Sequence, residues 1–240
     1  MDVRIIDQRT PEERERPFLP GAGKTWLLPF YDLFSRAVRV RALHERAAAL
    51  AGVKPGQTVA DVGCGTGNMS LAVLAAQPAA RVTGLDPDAD ALRRAARKAR
   101  RRGVDLTLVQ GFADRILAED ASLDHVVSSL TLHHIDEDGR IAFARDAMRV
   151  LRPGGRVTVA DFTGPSSDAE DAGRAAHGRA HARPHLRFRR SRPAHHVVVA
   201  RGHGDGIVSL LAEAGFEDAE SVGEADMSFG RITFVQATRP

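Results

Sequence analysis

The stretch that decides the fold is Val59-Ala60-Asp61-Val62-Gly63-Cys64-Gly65-Thr66-Gly67-Asn68. A short apolar strand runs into three glycines within five residues, and a helical pattern begins near Asn68. Glycine lets the backbone turn tightly and approach a ligand closely, and the first amides of the following helix are unpaired donors. The stretch therefore predicts a strand–turn–helix unit that holds a nucleotide-like cofactor. The alternative is a tight turn without a ligand.

This turn departs from two familiar nucleotide-binding patterns. A dinucleotide-binding turn has glycines at its first, third and sixth positions, and the sixth position counted from Gly63 is Asn68. No Gly-Lys-Ser/Thr triplet follows, so the Walker pattern fails as well. Asp61 precedes the first glycine by two residues and would repel a pyrophosphate. Its carboxylate favours a cofactor with a positive charge, such as the ammonium group of S-adenosylmethionine (SAM), bound directly or through water.

Strand and helix patterns alternate on the C-terminal side of this turn. The expected strands end at Asp86, Val109, Ser129 and Phe162, and the expected helices cover 89–102 and 141–151. Alternation of this kind predicts an α/β fold, a Rossmann-like doubly wound sheet with helices on both faces. Ligands of such sheets lie beyond the carboxyl ends of the strands. Asp86 is at such an end and is suited to the two hydroxyls of a ribose, although it could instead cap the next helix.

Composition limits the classes of site. The chain has 240 residues and a single cysteine, Cys64, which excludes an internal disulfide and a multi-cysteine metal site. Its 34 basic residues outnumber 31 acidic ones only slightly, but Gly173–His203 contains eight arginines, six histidines and no acid. Binding of a nucleic acid would depend on this basic segment. It is disfavoured, because Phe188 is the only aromatic residue of the segment that could stack on a base. No metal site is expected.

We expect four regions along the chain. They are an N-terminal arm and helix over 1–50 that could act as a lid, a cofactor-binding core over 51–163, a basic Arg/His-rich insert over 164–204, and a helix with a strand pair over 205–240 that completes the core. No apolar run approaches the roughly 18 residues needed to span a bilayer. A cytoplasmic protein is the expectation, and the oligomeric state cannot be predicted.

Four motifs in order resemble those of the class I SAM-dependent methyltransferases. They are 59–68, Gly84-Leu85-Asp86, 124–134 and Val150-Leu151-Arg152-Pro153-Gly154-Gly155. The small-molecule branch that resembles the enzymes of ubiquinone and menaquinone biosynthesis is most similar, and the likeness covers about residues 55–162. The resemblance implies a seven-stranded sheet, mostly parallel, whose last strand is antiparallel, and it implies SAM as the cofactor.

The same resemblance implies roles for individual residues. The methionine part of SAM would lie along Asp61, Gly63, Gly65 and Gly67, and the ribose would bind Asp86. Adenine would lie along 112–114, where Phe112 could pack on the ring, Ala113 follows, and Asp114 could accept from the exocyclic amine. Ser129 would lie near the reacting end of the cofactor.

The residues that would contact the substrate are not marked by a clear motif. His133 and His134 follow the strand that ends at Ser129, and either could act as a general base. The favoured interpretation is structural, since many methyl transfers need only proximity and in-line geometry. Trp26 and Tyr31 could contact substrate as part of a lid, although anchoring of the N-terminal arm is the favoured interpretation.

Three hypotheses of function follow. The first is an enzyme, a SAM-dependent methyltransferase that transfers a methyl group to a small-molecule acceptor by in-line displacement. The second is a SAM-binding nucleic-acid methyltransferase or binder that uses the basic insert. The third is a SAM-binding protein without catalysis. A NAD-dependent oxidoreductase is disfavoured by Asp61 and Asn68.

Overall fold

The structure is a computed structural model that describes residues 2–18, 40–162, 203–227 and 230–240. Trp26 and Tyr31 lie outside the described residues, as does all but the end of the basic insert. The helix expected within the N-terminal region 1–50 is described from Val40 onward and ends at Ala51.

Strands and helices alternate as the sequence predicts. The strands are β1 (Val3–Asp7), β2 (Thr58–Val62), β3 (Arg81–Asp86), β4 (Leu106–Gln110), β5 (Leu123–Ser129), β6 (Leu151–Phe162), β7 (Glu217–Met227) and β8 (Gly230–Thr238). The helices are α1 (Pro11–Glu15), α2 (Val40–Ala51), α3 (Asn68–Ala76), α4 (Ala89–Arg102), α5 (Glu137–Val150) and α6 (His203–Glu213). A short 3-10 helix spans Leu132–His134.

All the described strands form one sheet in the order β1-β4-β3-β2-β5-β6-β8-β7. The first six strands pair in parallel, and β8 is antiparallel to both β6 and β7. The α/β Rossmann-like fold and the antiparallel last strand are therefore confirmed, but the expected count of seven strands is wrong. The eighth strand is β1, which extends the sheet at its β4 edge. The sequence does not reveal β1, because the strand has no buried residue and contains an arginine, so it lacks the apolar run typical of the inner strands.

Helices cover both faces of the sheet and enclose two apolar clusters. One cluster lies beneath α2, α3 and α4, and the other beneath α5 and α6. The inner side of α4 consists mostly of alanine, with Ala91, Ala95 and Ala99 fully or nearly fully buried. These small side chains let the helix approach the sheet closely, while most of its arginines are exposed and Arg94 is half-buried. No helix in the described part of the chain is both long enough and apolar enough to cross a membrane.

The parallel arrangement brings the ends of β2 to β6 to one edge of the sheet. Val62 is paired with Leu85, Asp86 with Gln110, and Ser129 with Ala160. The turn after β2 stays beside β3, because the amides of Gly63 and Cys64 both donate to the carbonyl of Leu85, at 2.8 and 3.0 Å. Every residue that the sequence marks as a cofactor contact is at or just after one of these strand ends.

Gly63 is confined both by its backbone and by its neighbour. Its φ is +73°, a left-handed conformation that glycine tolerates best. A Cβ atom there would lie only 2.1 Å from Cγ2 of Thr131. Thr131 donates its hydroxyl hydrogen to the Gly63 carbonyl at 3.1 Å, so the turn after β2 and the loop after β5 touch directly.

Gly63→Ala should destabilise the protein by about 3 kcal/mol or more, because strain and a clash act together. Gly56→Ala is the matched control, since Gly56 has a φ of +78° but nothing within 4 Å of its added Cβ. That control should lose only the left-handed penalty of about 1–2 kcal/mol. Urea unfolding of both variants measures the difference, and equal losses would contradict the close contact with Thr131.

Candidate active site

Asp61 is the acid that precedes the glycine turn. It lies on β2 and its side chain is fully buried. Ser70, on the first turn of α3, donates its hydroxyl hydrogen to Oδ2 at 2.5 Å, while Oδ1 has no hydrogen-bond partner among the described residues. Burial raises the pKa of Asp61 to about 7, against the opposing effect of Ser70, and the charge of Asp86 raises it further. A cation near Oδ1 would reverse this penalty.

Asp86 ends β3 and faces the glycine turn. Its Oδ2 accepts from the amide of Gly65 at 2.8 Å, and its Oδ1 accepts from the amide of Asp88 at 2.9 Å. Burial raises the pKa of Asp86 to about 6, although both of these hydrogen bonds favour the ionised form. The residue that caps α4 is Asp88, which accepts from the amides of Asp90 and Ala91. The capping interpretation of Asp86 is therefore wrong, and each oxygen retains a lone pair for a hydroxyl.

The loop after β4 places Phe112 and Asp114 on the same side as Asp86. The ring of Phe112 is mostly buried, and the guanidinium carbon of Arg16 lies 4.6 Å from its centroid. Arg16 also forms an ion pair with Oδ2 of Asp114. The other oxygen, Oδ1, is buried and has no hydrogen-bond partner within the described ranges.

Ser129 ends β5, which pairs with β2 on the side away from β3, so Ser129 and Asp86 lie on opposite sides of β2. The hydroxyl of Ser129 is buried without a hydrogen-bond partner in the described structure. Leu130 then adopts a φ of +55°, an uncommon conformation for a residue with a side chain. This turn directs the chain across the end of the sheet into the 3-10 helix that carries His133 and His134.

Asp161, near the end of β6, fixes that 3-10 helix. Its Oδ2 accepts from the amides of Thr131 and Leu132 at 3.0 and 2.7 Å. Its Oδ1 accepts from the amide of Phe162 at 2.8 Å and lies 2.6 Å from Nδ1 of His133. Burial alone would raise the pKa of Asp161, but the hydrogen bond from His133 and the backbone amides lower it below its usual value. The group is therefore a carboxylate, and Nδ1 of His133 must carry the proton.

The two histidines are thereby distinguished. His133 is held by a carboxylate through Nδ1, which leaves Nε2 as the basic nitrogen. The ring of His134 lies 3.9 Å from that of His133, centroid to centroid, at an angle of 44°. Burial and the neighbouring His133 lower the pKa of His134 to about 4, so its ring is neutral at pH 7. His133 is thus the better-oriented base, and His134 packs against it.

The residues present fit SAM. Three of the buried side-chain oxygens that lack a partner within the described residues are Oδ1 of Asp61, Oδ1 of Asp114 and Oγ of Ser129. Buried polar atoms are normally satisfied, and a polar ligand at this edge of the sheet would satisfy these three. Oδ2 of Asp88, Nε of Arg94 and Nδ1 of His125 also lack a partner within the described ranges. The turn is also open at Gly65, where the nearest atom to an added Cβ would be Oδ2 of Asp86 at 4.0 Å. Among the described residues, no cluster of His, Cys, Asp and Glu side chains is arranged to hold a metal ion.

Sequence reasoning missed Asp161, Thr131 and Arg16. Asp161 had a readable signal, because it is an acid at the end of a buried apolar run on a strand whose carboxyl end faces the site. Thr131 carries no such signal, since its role depends on the approach of β2 and β5. Arg16 lies about 100 residues from Asp114 in the chain, and no local pattern connects them.

Comparison with known proteins shows the family to which the chain is similar. The family model described as a methyltransferase domain matches residues 59–155. A 27-O-demethylrifamycin SV methyltransferase of Amycolatopsis mediterranei is 33% identical over 136 residues, which is 53% of this chain and 49% of the relative. A ubiquinone/menaquinone biosynthesis C-methyltransferase of Syntrophotalea carbinolica is 29% identical over 149 residues, 59% of this chain and 60% of the relative. The chain thus spans about half to three fifths of the length of these curated relatives.

Another relative is matched over more of its own length. An uncharacterised methyltransferase of Synechocystis is 30% identical over 152 residues, which is 60% of this chain and 69% of the relative. Among solved structures, a SAM-dependent methyltransferase from Aquifex aeolicus has the same fold, with a TM-score of 0.57 and 16% identity over 82% of this chain and 89% of that one.

Proposed function

The chain belongs to the class I SAM-dependent methyltransferases, and we propose that it transfers a methyl group from SAM to a small-molecule acceptor by in-line displacement. The observation that carries the proposal is the set of unpartnered buried oxygens on Asp61, Asp114 and Ser129. Asp61 precedes the glycine turn, and Asp114 and Ser129 lie just after β4 and at the end of β5, on the same edge of the sheet. The resemblance requires a charged and hydroxylated cofactor at this edge. Two relatives support a small-molecule acceptor, because their names refer to a demethylrifamycin and to ubiquinone and menaquinone biosynthesis.

Each group of residues has a separate task toward the cofactor. Asp61 would attract the ammonium group of the methionine part, and Asp86 would accept from the ribose hydroxyls. Asp114 would accept from the exocyclic amine of adenine, and Ala113 and Phe112 would line the ring. Ser129 would lie near the reacting end. When bound, SAM supplies a methyl group on a positively charged sulfur, which leaves as a neutral thioether and needs no protonation.

The chain's own contribution at the acceptor is to take up a proton. We assign His133 as the general base and Asp161 as the residue that positions it. Asp161 accepts from Nδ1–H and so holds the ring in the tautomer whose Nε2 can take a proton from a hydroxyl acceptor. His134 and Phe162 hold the ring from its sides, with Phe162 edge-on at 4.7 Å. The roles of Trp26 and Tyr31 toward substrate, and the cytoplasmic location, stay predictions.

Asp86→Asn should weaken binding of S-adenosylhomocysteine at least about 100-fold, because the ribose loses charge-assisted hydrogen bonds. Asp90→Asn is the matched control, since Asp90 is an exposed acid on α4 that pairs with Arg93. Isothermal titration calorimetry measures both affinities, and thermal melting checks that both variants fold. Unchanged affinity in the Asp86 variant would refute the ribose assignment, and wild-type protein that binds no S-adenosylhomocysteine would refute the proposed function.

His133→Ala should lower methyl transfer by about 100-fold or more, the usual loss for a general base, while S-adenosylhomocysteine binds as before. Asp161→Asn should also lower kcat, because the asparagine amide no longer holds the His133 ring in the tautomer with its proton on Nδ1. The assay is transfer from radiolabelled SAM to a panel of quinols, phenols, amines and RNA. Full activity of His133→Ala would contradict its role as general base and would mean that the enzyme only aligns the acceptor with the methyl group. Wild-type binding without transfer would instead favour a non-catalytic protein, and transfer confined to RNA would favour the nucleic-acid alternative.

A further inference from the structure

The N-terminal segment is tied to the loop after β4 by a network of side chains. Arg115 donates from Nε to Oε1 of Glu13 at 2.9 Å and from Nη2 to Oε2 at 2.6 Å. The same Nη2 donates to the carbonyl of Gln8 at 2.5 Å. Glu13 also closes a capping box with Thr10, accepting from its amide at 2.8 Å and donating its own amide to the Thr10 hydroxyl. A two-pronged Arg–carboxylate pair fixes orientation as well as distance, so α1 is set firmly against residues 112–115.

Arg16, one residue beyond α1, extends this network to the acid assigned to adenine. Its Nη1 pairs with Oδ2 of Asp114, and its guanidinium lies over the ring of Phe112. Arg16 is therefore held by two contacts of different kinds, a charge and an aromatic face. Both contacts are made to the segment that the proposed function places along the purine.

The two carboxylate oxygens of Asp114 differ in their partners. Oδ2 is occupied by Arg16, and Oδ1 is buried with no hydrogen-bond partner among the described residues. An ionised carboxylate only accepts hydrogen bonds. Its free oxygen therefore suits a donor such as the exocyclic amine of adenine and repels a carbonyl oxygen at the same position. Because Arg16 binds the opposite oxygen, it leaves Oδ1 to the purine. Its guanidinium covers one face of the Phe112 ring, so the purine would contact the other face or the edge of that ring.

We propose that Arg16 is a positioning residue that makes the cofactor site selective for a 6-amino purine. It acts through Asp114, because its ion pair with Oδ2 holds the carboxylate turned so that Oδ1 faces the base. This inference rests on the proposed function, because it specifies how that same cofactor is recognised. The N-terminal segment is thereby part of the cofactor site, although it is distant from the glycine turn in sequence.

The test compares S-adenosylhomocysteine with S-inosylhomocysteine, which carries an oxygen in place of the 6-amino group. Wild-type protein should prefer the adenosyl compound by about 100-fold, the loss expected when a buried charged acceptor loses its donor. Arg16→Ala should reduce this preference to about tenfold or less, chiefly by weakening adenosyl binding. Arg16→Lys, which keeps the charge without the planar fork, should restore part of the preference.

Arg14→Ala is the matched control for the same segment. Arg14 also belongs to α1, but its side chain is 58% exposed and its ion pair is with Asp7 at 3.8 Å, away from Asp114. The control should keep the wild-type preference, and calorimetry with both compounds gives all the ratios. The same preference in Arg16→Ala as in wild type would overturn the role of Arg16 alone. Wild-type protein that binds neither compound would overturn the proposed function and this inference with it.

Discussion

The burial of Asp61 is the constraint on which the site depends. A carboxylate inside a parallel sheet loses its hydration, and the hydrogen bonds from the hydroxyl and the amide of Ser70 only partly compensate. Because the pKa of Asp61 is raised in the folded state to about 7, this group favours the native state most at low pH. That contribution is lost as pH rises from the unfolded value of about 3.9 through 7. The chain thus keeps a costly acid at the end of β2, as expected of a group retained to bind a cation.

Asp161 shows how the same side chain acquires a different role in another environment. Asp61 and Asp161 are both fully buried, and each lies near the carboxyl end of its strand, β2 or β6, in the same sheet. Asp161, however, receives three backbone amides and the ring of His133, and its pKa is lowered. Unpartnered burial prepares Asp61 for a ligand, whereas saturated burial makes Asp161 a fixed anchor for a base. The two aspartates therefore differ in proposed role, cofactor binding for Asp61 and positioning of the base for Asp161, because their surroundings differ.

The parts of the fold that local chemistry dictates could be predicted from sequence. The glycine turn, the end of β3 at Asp86 and the whole of α4 (89–102) follow from glycine placement, strand length and a helical apolar face. The edge strand β1 could not be predicted, because its pairing with β4 depends on approach in space and leaves little apolar pattern. The contacts of Arg16 and Thr131 escaped for the same reason. The sequence shows which acids lie at strand ends. It does not show which of those carboxylates have hydrogen-bond partners, because the partners come from distant parts of the chain.

Proton release on binding tests the central claim most directly, namely that Asp61 is held partly protonated until a cationic cofactor arrives. Calorimetry of SAM binding at about pH 6.5, in two buffers that differ in ionisation enthalpy, counts the protons exchanged. The account predicts release of between about half a proton and one proton per SAM bound, because Asp61 must ionise and Asp86 is partly protonated. Asp61→Asn should abolish most of that release. Binding of SAM to the wild-type protein with no proton exchange would contradict the account.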